Sequence, residues 1–292
     1  MNCLILTNPK SGNFIGLKKL QKLQNYLLAN NIQTNLYLSE YKNSITEYCI
    51  KNKDKYDDFI AVGGDGTINE VIQLSKYKSF NLAIIPTGTA NVLAKEFNIC
   101  ETNLFKAADT IIKNKKIRIN TWLANDRIFL LMLSGGIDSM SVENINLTLK
   151  KYTGKFSYIY QAFKELFFSP KNEYILDFNN SKIKTKQFFL MNISKYAGNF
   201  KLTKPLNYND KKLELIYFNE YSNIKLLLFA LFVLFNSNTA KLNFIKKIYI
   251  DYSKISHSEN SNKLPIQFDG DAGLYTPLEI KFNNSISLYV NN

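Results

Sequence analysis

The sequence predicts an α/β domain followed by a β-rich one. Two observations carry this. Over the first 115 or so residues, short apolar runs alternate with segments whose apolar residues recur at helical spacing. Beyond residue 117, short or alternating apolar runs follow one another between turns, with fewer helical stretches among them. Strand–helix alternation with apolar strands implies a parallel sheet covered on both faces. A succession of short strands implies an antiparallel sandwich or barrel-like domain. The division falls at residue 118, giving domains of residues 1–118 and 119–292.

In chain order, Cys3–Thr7 is a first strand, running into Asn8-Pro9-Lys10-Ser11-Gly12. Leu17, Leu20, Leu23, Leu27 and Leu28 then mark a helix by their spacing. Thr34–Leu38 is strand-like and Ile45–Ile50 a short helix. Phe59–Val62 is a buried strand leading to Gly63-Gly64-Asp65-Gly66-Thr67, after which Ile68, Val71, Ile72 and Leu74 return to helical spacing. Leu82–Ile85 is a strand stopped by Pro86, and Val92–Phe97 and Leu104–Ile112 are helices. In the second half, Ile117–Leu123 and Ile128–Leu133 are strands joined by a turn at Asn125-Asp126. Helical stretches follow around Val142–Leu149 and Tyr158–Phe168. The remaining strands are Tyr174–Phe178, Lys186–Ile193, Leu213–Phe218, Ile248–Tyr252, Leu264–Phe268, Leu278–Phe282 and Ile286–Val290. The Asn/Ser cluster at 256–263 reads as a loop carrying a solvated His257. There is no internal repeat.

Composition narrows the function. With 292 residues, 46% apolar and 21% charged, the chain is globular and long enough to bury a core. Cys3, Cys49 and Cys100 are widely spaced, which excludes a disulfide framework and a zinc signature and favours a reducing cytoplasm. The N-terminus reads as a strand, with no signal-peptide pattern. The net charge is +13, yet only Arg118 and Arg127 are arginines. Base readout leans on arginine forks, and here the charge is scattered, so no nucleic-acid partner is expected. A lysine excess suits attraction to anionic surfaces, membranes among them. The codon usage of an A+T-rich genome produces the same excess. The apolar stretch Ile224–Phe235, interrupted by Lys225, is about a dozen residues against the roughly 20 a spanning helix needs, so no transmembrane segment is expected. It reads as a buried helix in preference to an interfacial one.

Three strands of the first half end in loops suited to phosphate: Asn8–Gly12, Gly63–Thr67 and Pro86–Asn91. In a parallel sheet all three open on one edge, where α/β folds bind ligands. Gly63 and Gly64 let backbone N–H groups approach phosphate oxygens, and Gly66 is free to take a positive φ at the turn. Thr67 and Glu70 have the spacing of a capping box, which would start a helix there. The chain has neither a Walker loop nor a dinucleotide fingerprint. Phosphoryl transfer also needs an acceptor for the hydroxyl proton. The only histidine is His257, so a base must be a carboxylate. Asp269-Gly270-Asp271 places two acids after a strand, where mutual repulsion raises one pKa; Asp-Gly is equally a hairpin-turn signal. Asp138, in Gly136-Ile137-Asp138, reads as a helix cap.

NPKSG, GGDGTINEV and PTGTANVLAKEF, in this order, resemble the bacterial diacylglycerol kinase family, soluble lipid kinases related to sphingosine kinases. The resemblance extends through GKFSYIYQAF at Gly154, PLNYNDKKLEL at Pro205 and QFDGDAGLYTPLEI at Gln267, and so covers nearly the whole chain. GGDGT alone is shared with NAD kinases; the combination with GTAN and the late Asp-Gly-Asp is specific. The resemblance implies a Rossmann-like N-terminal domain, a β-sandwich-like C-terminal domain and an active site in the cleft between them. It implies ATP and Mg²⁺ as cofactors, with Asn8, Ser39, Gly63, Gly64, Asp65, Gly66, Thr67, Asn69 and Thr89 at the nucleotide. Asp65 would lie near the phosphates and their Mg²⁺, Asp269 would be the general base, and Asp271 would support it. A second, structural Mg²⁺ would use Asp210 and backbone carbonyls at Asn207 and Lys212. There the family's usual glycine is replaced by Lys211, which lacks its positive-φ freedom. The acceptor implied is a lipid, most readily diacylglycerol, at the inner face of a membrane met peripherally from the cytoplasm; a homodimer is compatible with this.

Overall fold

The computed structural model describes residues 2–11, 13–143, 173–258 and 262–291. The helix expected at Tyr158–Phe168, the segment at Gly154 and all but the start of the helix expected at Val142–Leu149 lie outside the described residues. The chain forms two compact units, Met1–Thr121 with Asn283–Asn292, and Trp122–Phe282.

The first unit is a parallel sheet. Its strands are β1 (Asn2–Thr7), β2 (Gln33–Leu38), β3 (Asp58–Gly63) and β4 (Asn81–Pro86), in the order β2-β1-β3-β4. β1, β3 and β4 are buried on both faces beyond their first residue, as near-continuous apolar runs require. The connecting helices are α1 (Leu17–Ala29), α2 (Ser44–Lys51), α3 (Asp65–Ile72), α4 (Val92–Glu96) and α5 (Leu104–Lys113). α1 buries Leu20, Leu23 and Leu27, the stripe its spacing predicts, and leaves Leu17 and Leu28 exposed. Asn103 starts α5 by accepting N–H bonds from Phe105 and Lys106 at 2.9 and 3.1 Å.

The second unit begins on β5 (Lys116–Ala124), which hairpins with β6 (Arg127–Phe129). It continues with β7 (Met132–Gly135), α6 (Ile137–Glu143), β8 (Tyr174–Phe178), β9 (Ser181–Thr185), β10 (Phe188–Met191), and the short pair β11 (Lys195–Tyr196) and β12 (Phe200–Lys201). Then come β13 (Leu213–Phe218), α7 (Asn223–Leu234), β14 (Ile245–Ile250), β15 (Tyr252–His257), β16 (Pro265–Phe268), β17 (Asp271–Tyr275) and β18 (Leu278–Tyr289). One antiparallel sheet runs β14-β13-β10-β7-β16-β17; β15 joins β8 and β9 to the first residues of β18 in another. β8 alternates buried and less buried positions with period two. Leu133, Phe188, Leu190, Leu215 and Ile266 from the first sheet share one core with Trp122, Tyr174, Leu176, Ile255 and Ile280 from strands of the other. Of the two forms the strand pattern allows, sandwich and barrel, this is the sandwich.

Three strand expectations need correction. Ile128–Leu133 is two strands, β6 and β7, because the N–H groups of Leu130, Leu131 and Met132 turn onto the Asp269 carboxylate instead of a neighbouring strand. Ile248–Tyr252 spans the end of β14 and the start of β15, parted at Asp251. Leu278–Phe282 and Ile286–Val290, read as two strands, are largely one, β18. Its first residues pair antiparallel with β15; Ser287 and Leu288 pair in parallel with Asn81 and Leu82 of β4. Residues from Asn283 onward therefore pack with the first unit, although sequence order put them in the second domain. The reason is local polarity. Asn283 and Asn284 bond Ser75, Ser285 bonds Asn120 at 2.8 Å, and Tyr289 bonds Asp58. His257, expected on a solvated loop, ends β15 with Nδ1 2.7 Å from Thr276 Oγ1.

Gly135 lies mid-sheet between β10 and β16. A Cβ there would overlap the Phe188 ring and lie 2.9 Å from Tyr174 Cε1. Gly135→Ala is therefore expected to lower unfolding stability by about 1–3 kcal/mol, the usual cost of overpacking. Urea denaturation of the variant checks this.

Candidate active site

The strand-end loops of the first unit meet as the parallel register requires. Thr7 of β1 is opposite Val62 of β3, and Gly63 is opposite Pro86 of β4. The loops beginning at Asn8, Gly64 and Thr87 therefore leave adjacent strand ends on one edge. Ser39, following β2, joins them by donating its N–H to the Thr7 carbonyl at 2.9 Å.

The closest approach is between glycines. A Cβ on Gly88 would lie 2.5 Å from Gly64 Cα and 2.7 Å from Asn91 Oδ1. A Cβ on Gly64 would lie 3.0 Å from Gly88 Cα. The two loops thus touch backbone to backbone, which only glycine permits. Asp65 adds a second tie. Its carboxylate accepts the N–H groups of Val92 and Leu93 at 3.1 and 3.4 Å and so caps α4 from another segment. Burial raises its pKa despite those bonds. The first loop joins the others through its side chains. Asn8 Oδ1 accepts the Lys10 N–H at 2.8 Å, Lys10 Nζ donates to the Glu40 carbonyl at 2.6 Å, and Asn13 reaches Thr89 Oγ1 at 3.4 Å.

Other local expectations were only partly met. The helix α3 begins at Asp65, with Gly64 as its N-cap and no side-chain cap. Thr67 thus lies inside the first turn, and Glu70 accepts the Ile45 N–H at 3.2 Å instead of closing a capping box. Gly66 is helical and takes no positive φ. Thr67 has its hydroxyl against Gly63, where a Cβ would collide with it. Asn69 is buried and its carbonyl accepts from Gln73 at 2.9 Å. Ser39 is buried, its hydroxyl 3.0 Å from Ser44 Oγ and 3.1 Å from the Tyr41 carbonyl. Sequence reasoning named neither Asn91 nor Lys10 individually. Asn91 is buried at φ 47°, donates to the Gly88 carbonyl and Glu101 at 2.9 Å each, and its Oδ1 has no partner among the described residues. A sequence signal existed, since an asparagine before a helix tolerates left-handed backbone.

In the second unit, Asp269 and Gly270 form the two-residue turn between β16 and β17, both at positive φ (48° and 87°). This is the Asp-Gly hairpin geometry. Asp269 is buried; its Oδ2 accepts Leu130 N–H at 2.8 Å and its Oδ1 accepts Leu131 and Met132 N–H at 2.7 and 3.0 Å. Burial pushes its pKa up to about 7, outweighing the three N–H bonds, with a further push from Asp271. Asp271 is exposed at the start of β17. Asp138 is not a helix cap: its carboxylate accepts from Ser134 and Tyr196 hydroxyls, and burial raises its pKa. At the expected second metal site, Asp210 N–H donates to the Asn207 carbonyl at 3.0 Å, and Asn207 Nδ2 donates to Asp210 Oδ1 at 3.0 Å. Lys211 takes no positive φ and holds its ammonium 4.6 Å from the Phe282 ring centroid. Among the described residues, no group of three or more His, Cys, Asp or Glu converges to hold a metal.

Since the folded state raises the Asp269 pKa from 3.8 to about 7, the native protein binds the extra proton between these values. The stability this group contributes is present at low pH and is lost as pH rises through about 7. The stability difference between the wild type and Asp269→Asn is expected to shift against the wild type between about pH 4 and 7 and level off above. Urea midpoints measured across that range give the answer; parallel curves would remove the shift.

The family profile described as "diacylglycerol kinase catalytic domain" matches residues 2–124. A diacylglycerol kinase of Staphylococcus saprophyticus is 32% identical over 166 residues, covering 56% of this chain and 54% of that protein. The chain thus spans about half the length of that relative. A diacylglycerol kinase of Bacillus subtilis is 26% identical over 283 residues, covering 94% of this chain and 91% of that one. A crystal structure of a Bacillus anthracis str. Sterne protein, at 20% identity, has a TM-score of 0.80 and covers 99% of this chain and 97% of its own. That likeness is one of fold, and it extends through both units. Residues 2–124 thus match the diacylglycerol kinase catalytic domain, and the chain is similar to bacterial diacylglycerol kinases over most of its length.

Proposed function

We propose that the chain transfers the γ-phosphate of ATP to the hydroxyl of a membrane lipid, with diacylglycerol as acceptor and phosphatidic acid as product. The observation that carries the reading is the backbone contact of Gly64 and Gly88, where two strand-end loops lie together with no side chain between them. Such a cradle offers N–H groups and a helix N-terminus to phosphate oxygens, and Asn91 Oδ1, without a partner among the described residues, sits beside it as an acceptor. These features fit a nucleotide held largely by backbone. Asn8, Ser39, Thr67, Asn69 and Thr89 lie on or beside the same edge; the Ser39 hydroxyl is already bonded internally. Mg²⁺, if bound with the nucleotide, would supply positive charge to offset that of its phosphates. Asp65 would supply charge toward it while capping α4. The Asn207–Asp210 turn fits a second cation poorly, because its carbonyl and carboxylate are bonded to each other's donors.

Transfer needs a base for the lipid hydroxyl. As its proton leaves, the hydroxyl oxygen bonds the γ-phosphorus, the bond to the bridging oxygen breaks, and ADP departs. Of the two acids in the Asp269-Gly270-Asp271 turn, we assign the proton to Asp271. Asp269 has both oxygens committed to backbone N–H groups and is buried, whereas Asp271 is exposed. This reverses the order of roles that the family resemblance implies. Asp269 then acts as a positioning residue that fixes the turn. The reaction takes place at a membrane surface reached from the cytoplasm; no helix of the described residues is long and apolar enough to cross one.

Thin-layer separation of radiolabelled products, with diacylglycerol, sphingosine and NAD offered in parallel, tests the acceptor. Label is expected on diacylglycerol; label on NAD alone would sink the lipid reading, and label on sphingosine alone would move it to a sphingoid-base kinase. Asp271→Asn is expected to cut kcat by roughly 10²–10⁴-fold with ATP binding retained, whereas Asp269→Asn should lower stability as well. Unchanged kcat in Asp271→Asn removes it from the base role. Gly88→Ala is expected to weaken ATP binding at least about tenfold, since the loops must part by a Cβ radius; isothermal calorimetry reads this directly.

A further inference from the structure

We propose that α7 is the element that seats this protein on an anionic lipid bilayer. The inference deepens the lipid-kinase reading by naming the membrane contact. Its main readout does not depend on catalysis.

Residues of an α-helix advance by about 100° each. On α7, Leu226, Phe229 and Val233 fall within an arc of about 60° and are buried. Ile224, Leu227, Leu228, Leu231, Leu234 and Phe235 fall within about 120° on the opposite side. Those six are exposed, Ile224 by 79% and Phe235 by 74%. One apolar stripe thus packs on the second unit while a second apolar face meets solvent. A soluble helix ordinarily carries polar residues there. The cluster is contiguous, which sets it apart from singly scattered surface leucines.

The charge around this face selects its occupant. No aspartate or glutamate occurs from Tyr221 to Ile250, a run that carries Lys225, Lys241, Lys246 and Lys247. Glu220, just before the helix, is paired with Lys225. Segments packed beside α7 include β12 and the 3₁₀ turn Thr239–Lys241, while Phe229 rests on Phe189 of β10 and Phe218 of β13. β12 and the 3₁₀ turn bring exposed Lys201 and Lys241 to its flanks, and Asn236, just past the helix, accepts the Lys201 backbone N–H at 2.8 Å. β12 itself lies in a second stretch, residues 178–209, that contains lysines and no acid. An apolar face rimmed by cations matches an anionic bilayer, with leucines among the acyl chains and ammonium groups at the headgroups. A second copy of the chain docked on the same face would set two cationic rims against each other, which disfavours it. With 12 residues, α7 is about 18 Å long, well short of the roughly 30 Å hydrocarbon core, so it lies in the plane of the interface.

The test uses the full chain with two vesicle types, phosphatidylcholine alone and phosphatidylcholine with about a third phosphatidylglycerol. The wild type should sediment with the anionic vesicles, more weakly as salt rises. Leu228→Asn/Leu231→Asn/Phe235→Asn, all at exposed positions, should lose roughly tenfold or more of that binding with an unchanged melting temperature. In a separate variant, Leu231→Trp should shift its emission to the blue on binding and be quenched by brominated lipid, against the buried background of Trp122. The triple variant should keep its activity on a short-chain, water-dispersed acceptor. Vesicle binding equal to wild type in the triple variant overturns the proposal. So does sedimentation equilibrium showing a wild-type dimer that the variant dissolves without loss of vesicle binding. Absence of kinase activity on every lipid, with vesicle binding intact, would count against the kinase reading and leave the α7 contact standing.

Discussion

Three backbone N–H groups turned onto one carboxylate set much of the second unit's architecture. Leu130 and Leu131 stand outside any β-ladder with their N–H groups on Asp269, which also takes the N–H of Met132 at the start of β7, so the strand breaks there into β6 and β7. The carbonyls of the same bend are also answered. Asn192 donates its side-chain amide to Leu130 and its backbone N–H to Leu131, and Trp122 Nε1 donates to Asn192 Oδ1 at 3.0 Å. Every link in this chain of bonds is buried, where an unmet polar group costs about 1–3 kcal/mol. The bend is thereby locked, and with it the turn that presents Asp271. A carboxylate held by so many donors would ordinarily titrate low; burial prevails, and Asp269 sits near neutrality.

The first unit meets a different constraint with a similar device. Parallel strands deliver several loops to one edge, and those loops lie close together. Gly64 and Gly88 remove the side chains at the point of contact, and Asp65 then ties the first helix start to the second. A buried acid that bonds a neighbouring helix N-terminus is both a cap and a spacer. The loops are held to one another by polar bonds as well as by the glycine contact.

The α7 segment shows how far apolar composition can mislead. Its leucines and phenylalanines read as core, and the stripe formed by Leu226, Phe229 and Val233 is core. Burial of one side of a cylinder leaves the other side outside, and on α7 that side is also apolar. Spacing could have flagged this, since six apolar positions fall opposite the buried three, but nothing local says which arc faces the protein.

The strand–helix order of the first unit, the apolar strands and the three loops were legible because each rests on local pattern: period, run length and glycine placement. The antiparallel, strand-rich character of the second unit was legible for the same reason, whereas the choice of sandwich over barrel was not. Other features were decided by residues far apart in sequence. The break after Phe129 depends on an acid 140 positions away, and the return of Asn283–Asn292 to the first unit depends on Ser75, Asn120 and Asp58. The exchange of roles proposed between Asp269 and Asp271 has the same origin, since two acids flanking one glycine look alike until their partners are known. Sequence by itself determined which residue types stand at each turn and strand end. Tertiary structure decided which carboxylate is buried and which is exposed, because hydrogen-bond satisfaction of a buried group is settled only when the distant donors arrive.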